Sequence, residues 1–251
     1  MTSFALAEQL VVDRVSVRYG GVLALDAVSL EVPPATVVGL IGPNGAGKTT
    51  LINAVTGVVR PASGKIALGE ARLDRLSQHR VARAGIARTY QNIRLFGALS
   101  VADNVRAGAY RRRGTLSDDA VRVLLTRAMV RDHELERRAG TLPYGEQRRL
   151  EIARALASEP HVLLLDEPAA GMNPRETGEL RALIRAVARL GTGVLLVEHD
   201  MSLVTAVCDH VLVLNFGETI AQGTPAQVAR DPAVIEAYLG TGAADSEHRS
   251  T

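Results

Sequence analysis

Apolar positions along this chain recur with two spacings. Short runs of β-type residues open it: Leu10-Val11-Val12, Val15-Ser16-Val17, then residues 27–32. Pro33-Pro34 ends the last run, because proline cannot donate to a ladder. Residues 36–41, 162–165 and 194–197 are continuous apolar stretches, the pattern of strands buried on both faces of a parallel sheet. Residues 65–68, 211–214 and 218–221 predict further strands, the first entered through a turn at Pro61-Ala62-Ser63-Gly64. Helical spacing appears after Lys48, stopping near Gly57. It returns at Val121, Leu124, Leu125 and Ala128, and again at Leu150, Ala153 and Ala157, where Pro160 is expected to close the helix. Residues 176–190 predict an amphipathic helix with Leu180, Leu183, Ile184 and Val187 on one face, broken by Gly191 and Gly193. The expected architecture is an α/β core built on a doubly wound sheet, with a helical insertion at about 88–160.

Composition narrows the setting. No apolar stretch approaches the roughly 20 residues needed to span a bilayer. Residues 1–10 lack a basic region leading into an apolar core, so no signal peptide is expected. The single cysteine, Cys208, cannot form an internal disulfide, which fits a reducing compartment. A formal net charge of +2 is too small to argue for nucleic acid. Residues 71–160 nevertheless hold 18 arginines against 10 acidic residues. That is either a solvated helical surface or a face toward a membrane or an acidic partner.

Two motifs carry chemistry. Gly42-Pro43-Asn44-Gly45-Ala46-Gly47-Lys48-Thr49 fits G-x-x-x-x-G-K-S/T between a predicted strand and a predicted helix, with Thr50 following. Glycines let backbone N–H groups close around phosphate oxygens, and the helix start aims its free N–H groups at the same place. Lys48 is expected to reach the β- and γ-phosphates and the Thr49 hydroxyl to ligate Mg²⁺. Downstream, Val162-Leu163-Leu164-Leu165-Asp166-Glu167-Pro168 brings an acidic pair out of a buried strand. Asp166 is expected to hold Mg²⁺, and Glu167 to polarise the water that attacks the γ-phosphate.

Between these motifs the chain resembles a known family. Thr141-Leu142-Pro143-Tyr144-Gly145-Glu146-Gln147-Arg148-Arg149-Leu150-Glu151-Ile152-Ala153-Arg154-Ala155-Leu156 is similar to the signature and following helix of ABC ATPases. The resemblance covers about residues 8–240. It implies a P-loop NTPase core of ABC type with an antiparallel β subdomain and a helical signature subdomain, and one ATPase domain over 8–240; residues 241–251, small and polar, are expected to form a flexible tail. By the same resemblance Tyr19 stacks on adenine, Gln91 senses Mg²⁺ and the γ-phosphate, and His199 contacts the γ-phosphate. Ala169-Ala170-Gly171-Met172-Asn173-Pro174 crosses the dimer interface, and Tyr144, Gly145 and Glu146 close over the ATP of a second subunit. The match has departures: Pro143 replaces serine, Tyr144 glycine, Glu146 glutamine, and Asn173 a frequent aspartate. Losing the serine hydroxyl leaves more of the partner contact to Gly145 and the backbone.

Several stretches resemble the ATP-binding subunit of branched-chain amino acid importers. They are Ala87-Arg88-Thr89-Tyr90-Gln91-Asn92-Ile93-Arg94-Leu95-Phe96, Leu142-Pro143-Tyr144-Gly145, Glu198-His199-Asp200-Met201 and residues 233–240. The tyrosine in the signature is typical of that branch. The resemblance implies ATP and Mg²⁺ as ligands, a second ABC ATPase subunit, integral-membrane permease subunits, an indirect link to a periplasmic solute-binding protein, and no nucleic acid. It also implies a peripheral place on the cytoplasmic face of the inner membrane. An exporter-type ATPase, such as one for lipopolysaccharide, is the alternative that the loop from Gln91 to Phe96 disfavours. A soluble ABC protein is disfavoured because the chain has neither long heptads nor an internal repeat. A non-hydrolysing module would be expected to lack Glu167 or His199.

Overall fold

Two serines explain the shape of the first sheet. In the computed structural model, which describes residues 8–110, 115–131 and 134–238, the early runs merge into two long antiparallel strands. These are β1 (Leu10–Tyr19) and β2 (Val22–Val32), joined at Gly20-Gly21. The breaks in alternation are β-bulges, not turns. Arg14 and Ala27 adopt positive φ there, and their N–H groups donate to Ser29 Oγ and Ser16 Oγ, each at 3.0 Å. Side-chain oxygens thus replace ladder partners that the bulges remove. β3 (Val37–Ile41) is buried at every position and leads through a glycine loop into α1 (Lys48–Val55). β4 (Ser63–Leu68) pairs antiparallel with β1 and β5 (Ala71–Arg72) with β4, giving the order β2-β1-β4-β5. Ser63 and Gly64, expected in a turn, therefore belong to a strand, drawn in by pairing with Ser16 that only the folded chain supplies.

The chain then builds an arm. α2 (Gln78–Ala84) and β6 (Ile86–Arg88) precede it, both too short to show a period in the sequence. The arm consists of α3 (Val101–Gly108), α4 (Asp118–Arg127) and α5 (Tyr144–Leu156). Ser100 caps α3 through Asp103 N at 3.1 Å, and Ser117 caps α4 through Ala120 N at 3.3 Å. Val121, Leu124 and Leu125 are buried as their spacing predicts. α5 ends at Leu156, before Pro160. The chain leaves it through Glu159 at positive φ, so Pro160 follows the stop without making it.

The rest is strand and helix in alternation: β7 (Val162–Asp166), α6 (Pro174–Arg189), β8 (Gly193–Val197), α7 (Met201–Val207), β9 (His210–Asn215), β10 (Glu218–Gly223) and α8 (Pro225–Val228). The second sheet has the order β10-β9-β3-β8-β7-β6, parallel throughout except for β10 on β9. Its strands divide their side chains between two cores with period two. Val37, Ile41, Leu163, Leu165, Val194 and Leu196 face the arm, α6 and α7. Val38, Leu40, Val162, Leu164, Leu195 and Val197 face α1 and the antiparallel sheet. Burial on both faces is why these strands read as unbroken apolar runs. The C-terminal ends of β3, β6, β7 and β8 share one edge, the edge where open α/β sheets take ligands. Among the described residues no helix is long and apolar enough to cross a membrane. The expected tail at 241–251 lies outside the described residues, as do residues 239 and 240.

Candidate functional site

The glycine loop after β3 is shaped by backbone crowding. Gly42 has φ +150°, and a Cβ there would lie 2.1 Å from Leu214 O. Gly47 has φ +104°, and a Cβ would meet Leu25 Cδ2 at 2.8 Å. Neither position admits a side chain, so the loop is pressed between β9 and β2 with its remaining face open. Gly217 N donates to Ala46 O at 3.0 Å and braces it from the side. Pro43 and Ala46 are buried, whereas Asn44, Gly45 and Thr49 are exposed and Thr50 is half-buried. No side chain caps α1, which leaves its first N–H groups available to an anion. Lys48 is buried and folds back, donating to Gly42 O at 2.6 Å and Pro43 O at 2.9 Å. Burial pushes its ammonium below the ordinary lysine value, while the Glu167 and Asp166 carboxylates oppose that.

The acidic pair emerges from β7 beside this loop. Glu167 adopts φ +44° with its N–H held by Val197 O at 2.9 Å, a strained turn that aims its carboxylate out of the sheet edge. Gln91 Nε2 donates to Glu167 Oε2 at 2.7 Å, and His199 Nδ1 stands 3.9 Å from the same oxygen. Two residues far from Glu167 in sequence thus converge on its carboxylate. Asp166 is held by Arg88, whose Nη2 donates to its Oδ2 at 2.8 Å while Nη1 donates to Asn53 Oδ1 at 2.8 Å.

The other expected site residues lie elsewhere. Tyr19 is exposed at the end of β1, on the antiparallel sheet. Tyr144, Gly145 and Glu146 form the first turn of α5, and their side chains are engaged within the chain. Tyr144 Oη donates to Ala170 O at 2.9 Å. Glu146 accepts from Arg149 Nη1 at 2.7 Å and from Arg131 N at 2.9 Å. Gly145 packs so closely on α6 that a Cβ would lie 2.6 Å from Glu176 Oε1. Pro143, the N-cap, makes no side-chain cap, so backbone N–H groups at this helix start remain available. Asn173 accepts from Glu176 N at 3.0 Å in a capping box that starts α6.

Sequence reasoning missed three groups here. Arg88, Arg148 and Glu198 carry no expected role of their own in the sequence beyond their place in the family stretches. Glu198 is buried and its carboxylate accepts from Ala169 N at 3.1 Å and His199 N at 3.2 Å. Glu198 directly follows the apolar run 194–197 beside His199 and Asp200, where an exposed strand-end charge is the ordinary expectation, so no local signal marks its burial. Outside the loop, a cleft of about 520 Å³ opens between the sheet and the arm, lined by Val81, Tyr90, Arg94, Phe96 and Tyr110 among others. Arg94 and Arg88 both stack on Tyr90, at 4.0 and 4.7 Å from the ring centroid.

The residues fit a magnesium nucleotide. The loop cradle excludes Cβ atoms, the helix start is uncapped, and Lys48 satisfies its charge with loop carbonyls that a phosphate would replace. No cluster of three metal-binding side chains exists among the described residues.

Known proteins are similar to this chain over most of its length. The sequence model described as ABC transporter matches residues 25–170, and one described as branched-chain amino acid ATP-binding cassette transporter matches residues 218–244. The chain is 44% identical over 246 residues to the high-affinity branched-chain amino acid transport ATP-binding protein BraF of Pseudomonas aeruginosa, covering 91% of this chain and 96% of that one. It is 42% identical over 247 residues to LivG of Escherichia coli K12, a protein of the same description, with the same coverage. The lipopolysaccharide export ATP-binding protein LptB of Escherichia coli K12 is 37% identical over 226 residues, 88% of this chain and 93% of that one. Among solved structures, an ATP-binding cassette of an ABC transporter in its ADP conformation superposes with a TM-score of 0.83 at 28% identity, covering 93% of this chain and 99% of the other.

Proposed function

The chain belongs to the ABC transporter ATP-binding family, and from that premise we propose that it hydrolyses ATP to drive uptake of branched-chain amino acids, or related small polar solutes, through a membrane permease. The identities to BraF and LivG support the solute class over export. One observation carries the coupling. Gln91 bonds to Glu167 at the catalytic edge, while Arg94 and Phe96, a few residues on, line the cleft beside the arm. A helix of the permease seated in that cleft would press on the segment that holds Gln91. The protein itself is proposed to sit peripherally on the cytoplasmic face of the membrane, paired with a second ATPase subunit.

In this reading ATP enters over the loop 42–50, and Lys48 exchanges the Gly42 and Pro43 carbonyls for phosphate oxygens. Loop N–H groups and those at the start of α1 hold the remaining oxygens. Tyr19 stacks on the adenine. Thr49, Asp166 and Gln91 would hold Mg²⁺. When bound, that ion neutralises charge developing on the β- and γ-phosphates. Glu167 orients the attacking water and accepts its proton as the water oxygen bonds to the γ-phosphorus and the bond to ADP breaks. Gln91 and His199 flank that carboxylate and sense whether the γ-phosphate is present. The start of α5, with Gly145 and the backbone of Tyr144 and Glu146, faces the partner subunit's nucleotide.

The test is reconstitution with the permease in vesicles. Glu167→Gln should cut kcat about 100-fold or more while ATP binding persists, as expected when a general base is removed. Phe96→Ala, in the cleft, should abolish solute uptake and leave basal hydrolysis unchanged. Uptake that survives both substitutions would overturn the transport reading.

A further inference from the structure

Tyr144 and Arg148 lie one turn apart on α5, so their side chains share a face. Arg148 is completely buried. Its Nη1 donates to Tyr90 O at 2.6 Å and to Glu151 Oε2 at 2.8 Å; its Nη2 donates to Gln91 O at 2.5 Å and to Tyr144 Oη at 3.4 Å. Only Nε lacks a partner. A buried guanidinium is costly unless its donors are met, so this fork is tied to the two carbonyls it grips. Those carbonyls bracket Gln91, whose side chain reaches Glu167. Tyr144 Oη passes on to Ala170 O at 2.9 Å, three residues beyond Glu167, and a Cβ on Gly171 would lie 3.6 Å from its ring. The first two turns of α5 therefore hold both segments that carry the groups around the attacking water. The two segments have no other shared anchor on the arm among these bonds.

We propose that Tyr144 and Arg148 are positioning residues for ATP hydrolysis, with the signature tyrosine acting inside its own chain on the segments bearing Gln91 and Glu167. This rests on the ATPase reading of the site. The tyrosine at this place gives the arm a direct grip on the catalytic edge, so that tilting the arm moves Gln91 and the loop after Glu167 together. Lysine cannot substitute for Arg148, because one ammonium cannot present a planar fork to two successive carbonyls and a carboxylate.

The experiment uses the full-length chain with Tyr144→Phe, Arg148→Lys and the double variant. Backbone hydrogen exchange is read without nucleotide, and steady-state hydrolysis with Mg-ATP. Loosening of either anchor should speed exchange about fivefold or more in residues 89–95 and 168–172, with β9 and α6 unchanged. Turnover should fall about 5- to 20-fold with KM for ATP within about twofold, the split expected of misplaced catalytic groups. The double variant should lose no more than Arg148→Lys alone, because both act through the same segments. The proposal is overturned if Tyr144→Phe leaves exchange in both segments untouched, if its loss appears in KM with kcat kept, or if the two losses multiply. A rise in KM would assign Tyr144 to the partner subunit's nucleotide instead. Tyr144→Phe removes one hydroxyl from a half-exposed ring, so it tests the idea even where Arg148→Lys fails to fold. A wild-type chain without turnover would refute the ATPase reading, and the exchange data would still decide this one.

Discussion

Glu198 is the clearest case of a single residue organising its surroundings. It is 1% exposed, and its carboxylate joins the loop after Glu167 to the loop bearing His199 by accepting Ala169 N and His199 N. Burial pushes its carboxyl above the usual carboxylate range, against the pull of those N–H groups and of His199. A raised carboxyl binds its proton more tightly in the fold than in the unfolded chain. Its contribution to stability is therefore most favourable below the ordinary carboxylate value and is lost as pH rises through the raised one. Glutamine has no such titration. The urea midpoint of Glu198→Gln, taken relative to wild type, should become more positive as pH rises from about 4 to about 7. A difference that stays flat across that range would remove the burial argument.

At the scale of elements, the arm depends on one close approach. Gly108 ends α3 where a Cβ would lie 1.9 Å from Arg154 O on α5, so the two helix backbones touch there. Alanine must push α3 away from α5, and overpacking of this kind costs about 1–3 kcal/mol. Gly108→Ala should lower the urea midpoint accordingly, and exchange should rise first in α3 and α5. Equal stability would mean that the arm tolerates a wider helix spacing. The same contact explains why α3 carries little sequence signal. Its eight residues are specified by a neighbour 46 positions on (Gly108 against Arg154), and the Ser100 cap is the one local cue.

Across the whole molecule, the parallel sheet separates two cores, and Cys208 sits in the one beneath α7. Its Sγ would lie 3.0 Å from a Cβ on Gly39, so β3 and the end of α7 are in contact there. Burial pushes the thiol up to about 12, which leaves almost no thiolate at neutral pH. Alkylation of Cys208 should then follow global unfolding. The native protein should stay unmodified over a time in which the urea-unfolded chain reacts fully, and saturating ATP should slow labelling further, because a ligand of the folded state shifts the equilibrium toward it. Rapid labelling of the native protein would show that β3 and α7 part without unfolding.

The phosphate loop, the acidic pair and the buried strands were legible in the sequence for a local reason. One contiguous stretch of backbone makes the loop, and a strand buried on both faces leaves an unbroken apolar run. The signature and the order of the motifs were legible only through their resemblance to a known family. What the sequence could not disclose were pairings between distant positions. Arg88 grips Asp166 across 78 residues, Arg148 reaches Gln91 across 57, and Tyr144 meets Ala170 across 26. The short elements α2 and β6 and the bulges of β1 belong with these, since only pairing with a neighbour defines them. Spacing along a chain records which face a residue takes within its own element. Which partner it meets there depends on how the elements pack, and that was decided by the tertiary structure.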